Sequence, residues 1–129
     1  MSNLNLSRPT DAELAILRVL WSRGPSTVRQ VHEALSRERE TGYTTVLKLM
    51  QIMTEKGLVE RDESERTHVY QARFTQEQTQ ERLVNDLLEK AFGGSASQMV
   101  MQALAAKPAS ADELAQIRRL LDELEGSKQ

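Results

Sequence analysis

Gly42-Tyr43-Thr44-Thr45-Val46-Leu47-Lys48-Leu49-Met50-Gln51-Ile52-Met53-Thr54-Glu55-Lys56-Gly57 is the stretch on which the fold of this 129-residue chain turns. Its apolar residues recur at helical spacing, and Gly57 supplies the C′ residue at which helices commonly end, so a helix is expected from Tyr43 to Lys56. At about 100° per residue, Val46, Leu49, Met50 and Met53 fall on one side, the side a core would bury. Thr44, Lys48, Gln51 and Glu55 line the opposite side, with Thr45 and Ile52 on one flank and Leu47 on the other. Small hydroxyls and one cation therefore gather near the N-terminal end of an outward face.

Upstream, Thr10-Asp11-Ala12-Glu13 has the capping-box form that opens a helix, and Leu14, Ile16, Leu17, Leu20 and Trp21 continue it for about 13 residues until Gly24-Pro25. Ser26 is placed to cap a second helix through about Leu35, with Val28, Val31, Ala34 and Leu35 inward. Ser36 to Thr41 forms a charged connection. Downstream, Leu58-Val59-Glu60-Arg61 and Thr67-His68-Val69-Tyr70-Gln71-Ala72 are short β-prone runs flanking a polar stretch, which predicts a hairpin. Three helices and a hairpin, in that order, are the layout of a winged helix-turn-helix.

Residues 74–129 read as a second, helical segment. Thr75-Gln76-Glu77-Gln78 opens a helix through about Phe92, with Leu83, Val84, Leu87, Leu88 and Ala91 inward, and Gly93-Gly94 ends it. Ser95 to Ala106 carries Met99, Val100, Ala103 and Leu104 at helical spacing. Pro108 interrupts, and Ser110-Ala111-Asp112-Glu113 opens a last helix whose Leu114, Ile117, Leu121 and Leu124 have the spacing of an a/d seam. Three short helices after a core that closes on itself would leave apolar surface exposed, so packing against a second copy is expected, through Leu83, Leu87, Leu88, Phe92, Met99, Val100, Leu104, Leu114, Ile117, Leu121 and Leu124. Folding back onto their own core is the alternative. The expected fold is mainly α with a small β hairpin: a winged helix over residues 1–73 and a helical dimerisation segment over 74–129.

Composition narrows the function. The net charge is −2, but residues 1–73 hold eleven Lys and Arg against ten Asp and Glu, and residues 74–129 six against nine. An anion-binding surface belongs in the first part. The chain has no cysteine, so disulfides and thiolate metal sites are excluded, and His32 and His68 lack a metal-ligand spacing. Neither a metal nor a cofactor is expected. No run reaches the roughly 20 apolar residues of a membrane span, and the polar start Met1 to Arg8 lacks the apolar core of a signal peptide, so the expected location is the cytoplasm.

Threonine, glutamine and lysine side chains match the donors, acceptors and thymine methyls of the major groove, which makes Thr44, Thr45, Lys48 and Gln51 candidate base readers. Thr41 and Tyr43 lie where a helix N-terminus favours phosphate. Arg61, Arg66 and His68 sit in or beside the hairpin, and Ser26, Thr27 and Arg29 open the second helix, where backbone phosphates are commonly met. A polar stripe of this kind is also what a merely solvated helix face displays. A winged helix serving protein interaction without DNA binding is the second reading, although only Leu47 and Ile52 give the outer face apolar character. Catalysis has no support: there is no glycine-rich phosphate loop, nucleophile elbow or metal set.

Gly42-Tyr43-Thr44-Thr45-Val46-Leu47 with Glu55-Lys56-Gly57-Leu58-Val59 resembles the recognition helix and wing start of the penicillinase repressor family, of the BlaI, MecI and CopY type. Val19-Leu20-Trp21 is similar to the end of that family's first helix. Phe92-Gly93-Gly94-Ser95, Met99-Val100 and the run Glu113 to Leu121 are similar to its dimerisation segment. The resemblance implies a homodimeric repressor that binds an inverted-repeat DNA operator and catalyses nothing; it leaves any sensor or protease partner unnamed. The chain departs from the family pattern at Ile52, where an arginine is frequent, and at Glu65, where a glycine is. It has Gln102-Ala103 in place of the Asn-Phe bond cleaved in β-lactam-responsive members, and it lacks the C-terminal cysteines of the copper-responsive ones.

Overall fold

The computed structural model describes residues 8–126. Of the polar start, only Arg8 falls within this range. Six helices and one hairpin follow in the order α1 (Asp11–Arg23), α2 (Val28–Ser36), α3 (Tyr43–Lys56), β1 (Val59–Asp62), β2 (Val69–Ala72), α4 (Gln76–Phe92), α5 (Ala96–Ala106) and α6 (Ala111–Gly126). No helix among the described residues is long and apolar enough to cross a membrane.

Local hydrogen bonding sets most helix starts. At α1 the Glu13 N–H donates to Thr10 Oγ1 at 3.2 Å, and the Thr10 N–H donates to Glu13 Oε1 at 2.9 Å. Equivalent reciprocal pairs join Thr75 to Gln78 and Ser110 to Glu113. Each satisfies orphan donors of a first turn. The second helix corrects the sequence expectation: its cap is Thr27, paired with Gln30, and not Ser26. Ser26 is buried and pairs with Tyr70 through two backbone hydrogen bonds of 2.9 and 2.8 Å, so the α1–α2 connection adds a bridge to β2. The strands are also displaced from the expected runs: Leu58 precedes β1, and Thr67 and His68 belong to the loop of the wing.

Of the described residues, those up to Leu83 form one compact unit and those from Val84 onward a second. The division falls within α4. Residues 74–83 join the first unit because Thr79 is buried, Trp21 Nε1 donates to the Phe74 carbonyl at 3.0 Å, and Arg73 and Arg82 stack on the Phe74 ring.

The core of the first unit draws Ile16, Leu17 and Leu20 from α1, Val28, Val31 and Leu35 from α2, and Val46, Met50 and Met53 from α3, closed by Leu58, Val59 and Tyr70. Glu13 is almost fully buried there, and Lys56 Nζ reaches its Oε1 at 2.7 Å, so one carboxylate caps α1 and holds the far end of α3. Gly57 turns the chain with φ of +80°, letting the Leu58 N–H return to the Met53 carbonyl at 2.9 Å. In the second unit α5 and α6 contain no buried residue; Leu87, Val100, Met101, Leu120, Leu121 and Leu124 stand exposed on its surface.

Candidate nucleic-acid interface

The inward stripe of α3 fixes what faces out. With Val46, Met50 and Met53 sealed in the core, Thr44, Thr45, Lys48 and Gln51 are exposed, and their side chains make no hydrogen bond or ion pair within the described chain. Leu47 and Ile52, the two apolar residues of the outer flanks, are half-buried, so the outward face is polar. The N-terminus of α3 has a further property. Its N-cap is Gly42, with no side-chain hydrogen bond, whereas α1, α2, α4, α5 and α6 all have a Ser or Thr hydroxyl accepting from the first turn. The leading amides of α3 thus remain available to an external acceptor, at the positive end of the helix dipole.

Three elements meet beside this end. The cap Thr27 with Val28 and Arg29 from α2, Tyr43 and Leu47 from α3, and Arg66, Thr67, His68 and Tyr70 from the wing line one open hollow. Five of the residues singled out from sequence, Thr27, Arg29, Tyr43, Arg66 and His68, are therefore brought together from positions up to 41 residues apart. Arg29 and Arg66 are exposed and form no ion pair among the described residues, which leaves their charge for a ligand. Thr27 is occupied as a helix cap.

Three other expected residues are placed differently. Ser26 is buried, and its hydroxyl donates to the Gly24 carbonyl at 2.8 Å, so the expected phosphate contact there is withdrawn. Thr41 is half-buried, with its hydroxyl turned 3.5 Å from the Arg39 carbonyl. Arg61 is engaged inside the wing: its Nε lies 2.6 Å from Glu63 Oε2. Hydrogen bonds that this guanidinium donates to the Tyr70 phenol oxygen and the Glu63 carboxylate raise its already high pKa. At the same turn, the Ser64 N–H donates to Asp62 Oδ1 at 2.9 Å, and hydrogen bonds from Ser64 lower the Asp62 pKa and pin the loop.

The Arg61–Glu63 pair has a measurable consequence. A phosphate that uses Arg61 must displace the carboxylate, so Glu63→Gln is expected to tighten duplex binding severalfold. The slope of log K against log salt should steepen by about 0.9, the contribution of one added phosphate contact. Titrations at several salt concentrations check this; an unchanged slope would mean that Arg61 stays bound within the wing.

Sequence reasoning overlooked His32. It set this residue aside for want of a metal-ligand spacing, yet the ring sits edge-on to Tyr43 with centroids 5.7 Å apart and Nε2 lies 2.8 Å from the Thr41 carbonyl. The i, i+11 relation between His32 and Tyr43 crosses a connection of irregular backbone, and no periodicity reports it.

Comparison with known proteins places these features in context. Residues 9–123 match the family model described as penicillinase repressor. The transcriptional regulator BlaI of Mycobacterium tuberculosis is 38% identical over 121 residues, covering 93% of this chain and 87% of that protein. The penicillinase repressor of Bacillus licheniformis is 22% identical over 119 residues, covering 92% and 93%. Among solved structures, the DNA-binding domain of the repressor BlaI matches with a TM-score of 0.50 at 21% identity, covering 55% of this chain and 87% of that one. The complex structure of hsRosR-S4 matches with a TM-score of 0.51 at 17% identity, covering 99% and 100%. These two likenesses concern the fold.

Proposed function

Because the chain belongs to the penicillinase repressor family, whose members are transcriptional regulators and not enzymes, we propose that it is a homodimeric repressor binding a palindromic DNA operator. The observation that carries this reading is the outer face of α3. Among the described residues, Thr44, Thr45, Lys48 and Gln51 are exposed and unpartnered, on a helix whose N-terminus no side chain caps. The hydroxyls and methyls of the two threonines, the lysine ammonium and the glutamine amide suit base edges, while the open amides, Arg29 and Arg66 suit the phosphates alongside. Regulators of this kind act in the cytoplasm, where the DNA is.

The second unit supports the dimeric part of this reading. A segment of about 40 residues with no buried apolar side chain has not completed a core, and its exposed leucines and valines need a partner surface. A second copy supplies one by symmetry, which sets two α3 helices against half-sites about 10 bp apart or a multiple of that. The dimerisation residues proposed from sequence divide into exposed Leu87, Val100, Leu121 and Leu124 and half-buried Leu83, Leu88, Phe92, Met99, Leu104, Leu114 and Ile117.

The test begins with fragments of the source genome retained by the purified protein, which names the operator. On the selected duplex, Lys48→Ala is expected to lower affinity about tenfold, the loss of about 1–3 kcal/mol typical of one base or phosphate contact. Equal affinity of Lys48→Ala and wild type across salt concentrations would remove α3 from the interface. Failure of the wild type to retain any duplex at low salt would overturn DNA binding itself.

A further inference from the structure

We infer that His32 is a positioning residue for the DNA-reading helix: from α2 it anchors the residues leading into α3 and seats the Tyr43 ring beside the hollow. The inference rests on the DNA reading above. The connection from Arg37 to Gly42 is rich in charge and ends in glycine, a composition with little to order it. Its start is tied to α2 by the Glu38 and Arg39 N–H groups, both donating to the Leu35 carbonyl at 3.1 Å. Its end, just before α3, is tied to α2 by the imidazole, through the 2.8 Å bond to the Thr41 carbonyl.

A carbonyl only accepts, so Nε2 carries the proton of that bond, and the Ser36 hydroxyl 3.3 Å away lies one helical turn further along α2. The second contact is with the aromatic ring. Tyr43 is 46% exposed, and the imidazole edge, at an interplanar angle of 77°, supports it in the T-shaped arrangement that aromatic pairs favour. Tyr43 is also the first residue of a helix whose N-cap glycine contributes no side-chain bond. The start of α3 therefore lacks a local device and uses a remote one, His32, to settle both its backbone entry and the direction of its first side chain. Ordering these groups before DNA arrives removes a cost that binding would otherwise bear.

Two measurements test this on the full chain. The first needs no DNA. In His32→Ala the Val46 amide, which donates to the Gly42 carbonyl at 3.2 Å, is expected to exchange with solvent about tenfold faster than in the wild type, with the Met50 amide unchanged. His32→Gln, whose side-chain amide can also donate, should restore slow exchange. The second uses the duplex selected from genomic fragments. His32→Ala and Tyr43→Ala should each weaken binding about tenfold, and the double variant should be no more than about threefold weaker than either.

Unchanged Val46 exchange in His32→Ala, or losses that multiply fully in the double variant, would overturn the proposal. A wild type that binds no duplex would instead sink the DNA reading, while the exchange result would still decide whether His32 anchors α3.

Discussion

For the homodimer proposed above, Leu121→Arg is expected to give a single chain in solution and to lower affinity for the selected duplex by about 10²–10⁴-fold. Leu121 is 54% exposed on α6, in the seam that continues to Leu124 and back to Ile117 and Leu114. A guanidinium there would have to be buried against apolar side chains of the partner, and burying an unpaired charge costs more than the contact it replaces contributes. The second winged helix on a dimer binds as an intramolecular event at an effective concentration near millimolar, and that advantage disappears when the chains separate. Sedimentation and duplex titration check the two halves of the expectation. A variant that still sediments as a dimer would remove α6 from the interface. A single chain with undiminished affinity would show that one winged helix suffices. Because the substitution lies outside the core cluster, the tryptophan fluorescence of Trp21 should report an intact first unit.

Met50→Ala is expected to destabilise the first unit by about 2–5 kcal/mol, the usual range for deleting a fully buried Met or Leu side chain. Met50 has no exposed surface and lies in the cluster shared by all three helices of the winged fold and its hairpin. Removing its thioether leaves a cavity at the point that orients α3. Gln51→Ala, one residue along and on the exposed face, should change stability by less than about 0.5 kcal/mol. Denaturant unfolding followed by Trp21, which is packed against this cluster, separates the two outcomes. Equal shifts for the two substitutions would mean that the inward and outward faces of α3 have been assigned wrongly. The pair also divides stability from recognition, since Gln51→Ala is the variant that should disturb DNA binding while the fold persists.

Much of the architecture was legible because it depends on short separations along the chain. The limits of α3 follow from Gly42 and Gly57, and its two faces from a period of 3.6 residues. Three capping boxes, at Thr10, Thr75 and Ser110, announced three helices from spacings of three. The Thr27–Gln30 box was obscured by Ser26, an equally good cap by composition; the pairing of Ser26 with Tyr70 across 44 residues decides between them. The hairpin was placed to within a residue or two, because β propensity says where strands occur and not which residues face each other. That residues 74–83 pack with the first unit was not legible, since the burial of Thr79 and the Trp21–Phe74 hydrogen bond depend on where α1 passes.

The amino-acid sequence alone determined the helices, the wing, the polar character of the outer α3 face and the absence of a catalytic constellation, since these rest on the order of residue types over a few turns. Only the tertiary structure decided which of those residues remain free to meet a ligand. Glu13 holds Lys56 across 43 residues, Glu63 engages Arg61, Ser26 is drawn into the core and His32 supports Tyr43. The physical reason is that an apolar stripe identifies which side of a helix turns inward, whereas the partner of a charge or hydroxyl depends on which other element the packed core brings within about 3 Å of it.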